Sequence, residues 1–264
     1  DELQNYYVEN MRKKFNVLNN HKNLALHLYD IFRNLPSMSI ETSERSTFDI
    51  SVNEIHKIQS VVDICNGMAF DQYKTIYNCI KSRGQSNVLV FGCGGDSNLW
   101  NEINSSGKTI FLEDNDDWIQ KTKNQNPHLE IYKIIYTDKG YDADRLLEEY
   151  ISGNEKCLSL DLPEHIRKVD WDVIIVDAPA GWGNKYPCRM KSIYESYNLS
   201  INSKDVDIFV HDSQRYIENK YCNYFFKESS DSKNYKLIDE VLDPEGTQFT
   251  GRTLSYFKKE NKNV

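Results

Sequence analysis

The sequence predicts an α/β fold, a mostly parallel sheet with helices on both faces, closed at its C-terminal end by an antiparallel hairpin. Three observations predict it. From Asn87 onward, short apolar runs alternate with helical segments, the texture of strands buried on both faces. The first run ends in a glycine-rich loop and the second in an acid. The last two runs are separated only by a Pro-Glu-Gly turn, with no convincing helix to carry a parallel crossover.

Taken in order, the parallel strands are Val88–Phe91, Thr109–Leu112, Glu130–Tyr136, Asp172–Val176 and Asp207–Val210. Leu99, Trp100 and Ile103 fit a helix after the glycine loop, and helices at Asp116–Lys123, Ala143–Tyr150 and Arg189–Leu199 separate later strands. Tyr235–Val241 and Arg252–Phe257 form the hairpin. Such an ending fits the Rossmann-like sheet of a class I S-adenosylmethionine (SAM)-dependent methyltransferase better than an all-parallel dehydrogenase sheet. Upstream, Ile55, Ile58, Val61 and Val62 form one stripe, and Tyr73, Ile76, Tyr77 and Ile80 form another at i, i+3, i+4 and i+7. Residues 1–84 therefore read as an N-terminal helical extension and 85–264 as the sheet domain, with Pro36–Asp49 a loop or lid.

Composition narrows the function. An apolar fraction of 39% with 12% aromatics builds a core and excludes global disorder. Against 40 acidic residues stand 32 basic ones, and a formal charge of −8 argues against a nucleic-acid partner. No apolar run approaches the ~20 residues needed to span a bilayer. The chain opens Asp1-Glu2 with no Met, so an upstream anchor or targeting segment is expected to have been removed. Six cysteines without a C-x-x-C pair disfavour a zinc ribbon or a disulfide scaffold.

Ligands of a doubly wound sheet bind beyond the carboxyl ends of its strands. Here those ends carry Gly92-Cys93-Gly94-Gly95, then Glu113-Asp114, then Asp177, then His211-Asp212. The glycines let backbone turn tightly against a ligand. Glu113 lies 21 residues after Gly92, where an acid bonds ribose hydroxyls. Ser97 stands where a dinucleotide fingerprint has its third glycine, which weakens a nicotinamide reading. Asp177, His211 and Asp212 at adjacent strand ends suit proton abstraction from a hydroxyl, or a divalent cation held by Asp177 and Asp212. Beyond Asp177, the Gly181-Trp182-Gly183 run suits a mobile lid, with Trp182 either stacking on a sugar or packing inside it.

These residues together resemble the plant polysaccharide-biosynthesis family of glucuronoxylan 4-O-methyltransferases and arabinogalactan glucuronic-acid methyltransferases. The resemblance rests on Val88-Leu-Val-Phe-Gly-x-Gly-x-Asp-Ser97, Leu99-Trp100, Thr109-Ile-Phe-Leu-Glu113 and Trp118-Ile119. It continues through Trp171-Asp-Val-Ile-Ile-Val-Asp-Ala-Pro-x-Gly181, Pro187-x-Arg-Met190 and His211-Asp-x-x-Arg215, with Glu218 and Tyr221. It implies SAM-dependent methyl transfer to a hydroxyl of glucuronic acid in a glycan and, in plants, a Golgi location; outside a eukaryotic secretory route the expectation is cytoplasmic. It also places the cofactor on Gly92–Gly95 and Glu113, and the acceptor among Asp177, Arg189, His211, Asp212 and Arg215. An acidic enzyme accepting a uronate needs local cations, for which Arg189 and Arg215, with Lys185 nearby, are the candidates. The competing readings are a methyltransferase for a non-uronic sugar, a nicotinamide-dependent oxidoreductase, and a glycan-assembly scaffold without turnover.

Overall fold

The computed structural model describes residues 50–65, 67–181, 183–228, 234–243 and 252–260. The helical reading of residues 1–49, the loop at Pro36–Asp49 and the side chain of Trp182 lie outside the described residues. Two helices come first, α1 (Val52–Cys65) and α2 (Phe70–Arg83). Then follow β1 (Asn87–Phe91), α3 (Ser97–Ile103), β2 (Lys108–Glu113), α4 (Asp116–Gln125), β3 (Glu130–Lys133), α5 (Ala143–Ile151) and a single turn, α6 (Glu164–Arg167). The chain continues through β4 (Val173–Val176), α7 (Met190–Ser200), β5 (Asp205–His211), α8 (Tyr216–Cys222), β6 (Tyr235–Leu242) and β7 (Thr253–Glu260).

The strands form one sheet in the order β3-β2-β1-β4-β5-β7-β6. The first five are parallel, and β7 runs antiparallel to both β5 and β6. Alternation divides the strand side chains between two cores. Leu89, Ile110, Ile174 and Ile208 face a layer containing Met190, Tyr194 and Phe225. Val90, Phe111, Ile175 and Phe209 face the other, with Tyr73, Ile76 and Ile80 of α2 and Trp100 of α3. Each such fully buried side chain contributes on the order of 1.5–3 kcal/mol.

α1 and α2 thus cover one face of the sheet, in the same compact unit as the strands. Asp71 at the start of α2 and Lys81 and Arg83 at its end complement the helix dipole. Arg83 then pins the helix to the sheet: its Nε donates to Asp207 of β5 at 2.5 Å, and the Tyr256 hydroxyl donates to the same carboxylate at 2.6 Å. Two sequence expectations need correction. The third strand stops at Lys133, because beyond it β2 has ended and only the Ile134 N–H reaches back, to the Glu113 carbonyl. The stretch after Asp212 is helical, α8 followed by a π-helical turn at Asn223–Glu228, where no element was anticipated. Among the described residues, no helix is long and apolar enough to cross a membrane.

Candidate active site

Strand alternation explains how the site assembles. Glu113, Asp177 and His211 each fall two residues after an inward-facing Phe111, Ile175 or Phe209, so all three emerge on the α2 face at the carboxyl edge. Beside them lies a cavity of about 340 Å³. Its floor is the loop Gly92–Asp96, its far wall Glu113 with Trp118, Lys121 and Gln125 of α4, and its near wall Asp177, Ala178 and Ala180. Ile64, Cys65, Gly67 and Met68, at and just beyond the end of α1, form its roof with Tyr73 of α2, and Val90, Trp100, Thr122 and Ile175 complete the lining.

The glycine loop is shaped by a few contacts. Gly92 has φ +117°, which side chains rarely adopt, and a Cβ there would stand 3.3 Å from that of Ala178. Gly95 has an ordinary φ, but a Cβ there would come within 2.6 Å of the Cys65 sulfur and push that side chain aside. At Gly94 a Cβ would meet only Asp96, at 3.6 Å. The loop is latched to β2: the Cys93 N–H donates to Glu113 Oε2 at 2.8 Å, while the N–H groups of Asp114 and Asn115 donate to Oε1 at 3.1 and 2.9 Å. Burial raises the Glu113 pKa to about 7 despite these three donors. Half-buried Asp96 is raised to about 6, first by burial and then by the charge of Asp177, and the Tyr73 hydroxyl donates to it at 3.3 Å. Asp114, also raised by burial, does not line the cavity.

SAM fits this pocket. A carboxylate at the end of β2 can receive ribose hydroxyls, the left-handed glycine allows close backbone approach, and Asp96 with Asp177 offers negative charge to sulfonium and ammonium groups. Ligand binding through ionised Glu113 and Asp96 is favoured above their pKa values, so SAM affinity is expected to rise about tenfold between pH 6 and 8. Glu113→Gln should weaken binding by about 1.5–3 kcal/mol and flatten that rise. Calorimetry across this range checks both, and an unchanged pH profile in the variant would remove Glu113 from the site.

The strand-end cluster adjoins the cavity through Asp177. Asp177 Oδ1 contacts His211 Nδ1 at 2.7 Å and receives Arg189 Nη2 at 3.0 Å. The same Nη2 reaches Asp212 Oδ2 at 3.0 Å, which also pairs with Arg215 Nη2 at 2.8 Å. Burial alone would raise the Asp177 pKa, but His211 and Arg189 beside it hold it below the usual carboxylate value. Asp212 sits in the left-handed region, φ 59°, a conformation Asp tolerates better than most residues. Within this cluster two buried atoms, His211 Nε2 and Asp212 Oδ1, have no hydrogen-bond partner among the described residues. In donor chemistry an imidazole and two carboxylates, with ligand atoms all within 4.8 Å, also fit a divalent cation, although Arg189 and Arg215 already balance the carboxylate charge.

One sequence expectation is displaced. Arg189 is only 3% exposed, and its guanidinium also donates to the carbonyls of Pro179 and His211, so it organises the carboxylates and has no face left for an acceptor. Arg215 is different: Nη1 donates to Ala180 O at 2.8 Å, and 31% of the side chain remains exposed. Lys185 is exposed on the neighbouring loop. Asp96, quoted within the glycine-loop motif, was legible but given no role. The α1–α2 contribution was not legible, because an amphipathic stripe does not reveal which part of the sheet it covers.

A dehydrogenase sheet of this kind stays parallel to its edge, whereas here the last strand runs back between the fifth and sixth strands. That reversal, with a glycine turn and an acid on the first two strands, defines a class I SAM-dependent methyltransferase. Residues 71–238 match the family described as IRX15/IRX15L/GXM. The chain belongs to that family. It is 32% identical over 220 residues to Glucuronoxylan 4-O-methyltransferase 2 of Arabidopsis thaliana, covering 76% of this chain and 75% of the relative. Arabinogalactan O-methyltransferase 2 of the same plant is 33% identical over 195 residues, 65% of this chain and 67% of the relative. Protein IRREGULAR XYLEM 15, also from Arabidopsis thaliana, is 28% identical over 238 residues, 81% and 74% respectively.

Proposed function

We propose that this chain methylates a sugar hydroxyl in a glycan, and that the sugar is a glucuronic acid residue. The observation that carries the proposal is the Asp177–His211 pair: Asp177 lines the cofactor pocket, His211 Nε2 is unpartnered, and Asp212 links the pair to the partly exposed Arg215. The names of the relatives, glucuronoxylan and arabinogalactan methyltransferases, support a glycan acceptor.

A sugar hydroxyl is a weak nucleophile, so its proton must leave as it attacks. With Nδ1–H donated to Asp177, the His211 ring presents the Nε2 lone pair to that proton. Asp177, and Asp212 Oδ2 at 3.7 Å from Nδ1, stabilise the imidazolium that forms. Bound SAM supplies the electrophilic methyl group. Because Nε2 is closed to solvent, acceptor entry needs a local opening, and the Ala180 carbonyl held by Arg215 is the contact this reading assigns to it. Gly181 and Gly183, at φ +67° and +126°, give the segment beyond Ala180 its hinge positions.

A second reading is favoured by the unpartnered Asp212 Oδ1 and His211 Nε2, namely a divalent cation on Asp177, His211 and Asp212 that polarises the hydroxyl. Chelation separates the two. Full activity in chelator supports the side-chain base, and loss restored by a divalent ion supports the cation.

The acceptor assignment is tested at Arg215. Arg215→Gln is expected to raise KM for a glucuronate-bearing oligosaccharide ~10–100-fold, the scale of a charge-assisted pair of about 1.5–3 kcal/mol. It should change KM little for the same glycan with its carboxyl reduced to an alcohol. A parent enzyme faster on the reduced glycan than on the uronate would overturn the glucuronate assignment and leave sugar methylation.

A further inference from the structure

Three tyrosines stand 61–71% exposed among the described residues, Tyr141, Tyr186 and Tyr216, and they belong to three segments that converge on one point. The Gly140 N–H donates to the Tyr186 carbonyl at 2.9 Å, and the Tyr141 N–H donates to the Asn184 carbonyl at 3.0 Å. Gly140 is also where the third segment arrives: a Cβ there would lie 2.8 Å from Asn184 Cα and 3.1 Å from the side chain of Ile217, the residue after Tyr216. α8 is held against the same region by Lys220, paired with Asp144 at 2.5 Å, and by the Tyr221 hydroxyl, which donates to Ala143 O at 2.9 Å. The rings therefore project from a backbone that is already fixed.

Two cations share this rim. Lys185 precedes Tyr186, and Arg215, bonded to Asp212 of the catalytic cluster, precedes Tyr216. Scattered exposed aromatics need no explanation, but a group of three on converging, hydrogen-bonded loops beside a catalytic edge marks a binding surface. The face of a tyrosine ring is electronegative, and the C–H groups on one face of a pyranose are weakly positive, so the two stack while the phenol hydroxyl stays wet. In an acidic chain, cations interleaved with such rings suit a polymer carrying carboxylates.

We propose that Tyr141, Tyr186 and Tyr216 form a platform for the sugar units flanking the methylated residue, so that the enzyme recognises a stretch of acidic polysaccharide rather than a single sugar. The inference rests on the glycan reading above and extends it to the polymer. Continuity with Arg215 selects the occupant, because the residue after that guanidinium is Tyr216 and a polymer held there by its carboxylate lies at the start of the platform.

The test uses the full chain and Tyr141→Ala, Tyr186→Ala and Tyr216→Ala, singly and together, with circular dichroism to confirm folding. Retardation in gels containing glucuronoxylan, or glucuronoxylan with reduced carboxyls, reads binding without turnover. The parent should be retarded by the native polymer, and the triple variant should lose at least ~10-fold in affinity. In turnover, the triple variant should raise KM for a glucuronoxylan hexasaccharide similarly and leave KM for methyl glucuronide and for SAM unchanged. Equal retardation of the parent in native and reduced-carboxyl gels, lost in the triple variant, would uphold the platform while overturning the uronate reading. A parent that is not retarded by either polymer, or a triple variant that behaves like the parent, would overturn the platform.

Discussion

His211→Ala is expected to lower kcat at least ~100-fold with SAM affinity within about twofold of the parent, because losing a positioned general base costs on that scale. Asp177→Asn should fall by a similar factor through a different route. The amide cannot stabilise the imidazolium, and Arg189, buried between Asp177 and Asp212, is left with one carboxylate in place of two. Single-turnover methyl transfer measured beside calorimetric SAM binding separates loss of chemistry from loss of cofactor. Parent-like kcat in both variants would remove the pair from the mechanism. Loss of SAM binding in His211→Ala would make His211 part of the cofactor site instead, whereas some loss in Asp177→Asn is expected because Asp177 also lines the cavity.

The second large effect is expected at Gly92. Gly92→Val places a β-branched residue at φ +117°, with its Cβ 3.3 Å from that of Ala178. Holding such a residue there costs about 1–3 kcal/mol of backbone strain. The loop escapes only by rotating away from Leu112 and Glu113, to which the N–H groups of Gly92 and Cys93 donate. SAM affinity should fall ~100-fold or more, whereas Gly94→Ala, facing only Asp96 at 3.6 Å, should fall far less unless the ligand itself fills that space. Equal losses at the two positions would mean that the ligand, rather than the protein, sets the glycine requirement.

Much of this site is written in simple periodicities. The two-residue repeat that buries Phe111, Ile175 and Phe209 also aims Glu113, Asp177 and His211 to one side, and a reader of the sequence can count it. The reversed last strand was legible because its connection is too short for a crossover. Arg189 was harder. Its position in the chain says that it lies near the strand ends, but whether a guanidinium faces solvent or two carboxylates depends on packing, which no spacing encodes. The same limit hid the roof of the cavity and the meeting of Tyr141, Tyr186 and Tyr216, whose proximity comes from loops joined by backbone hydrogen bonds.

The roof has a consequence for how the protein is made. Gln72, in the first turn of α2, donates through Nε2 to the carbonyls of Val241 and Arg252, both at 2.9 Å, and Arg252 donates to the Gly67 carbonyl. β7, which begins at the next residue, is inserted between β5 and β6. A ribosome has therefore threaded out β1 to β5, the glycine loop, Asp177 and His211 well before β7 and the Arg252 contacts that precede it. Until Arg252 and β7 emerge, β5 is an open edge and the Gly67 carbonyl lacks its hydrogen bond from Arg252. A nascent chain stalled before Arg252 would carry the glycine loop, Glu113, Asp177 and His211 and still lack the contacts from Arg252 to Gly67 and Gln72.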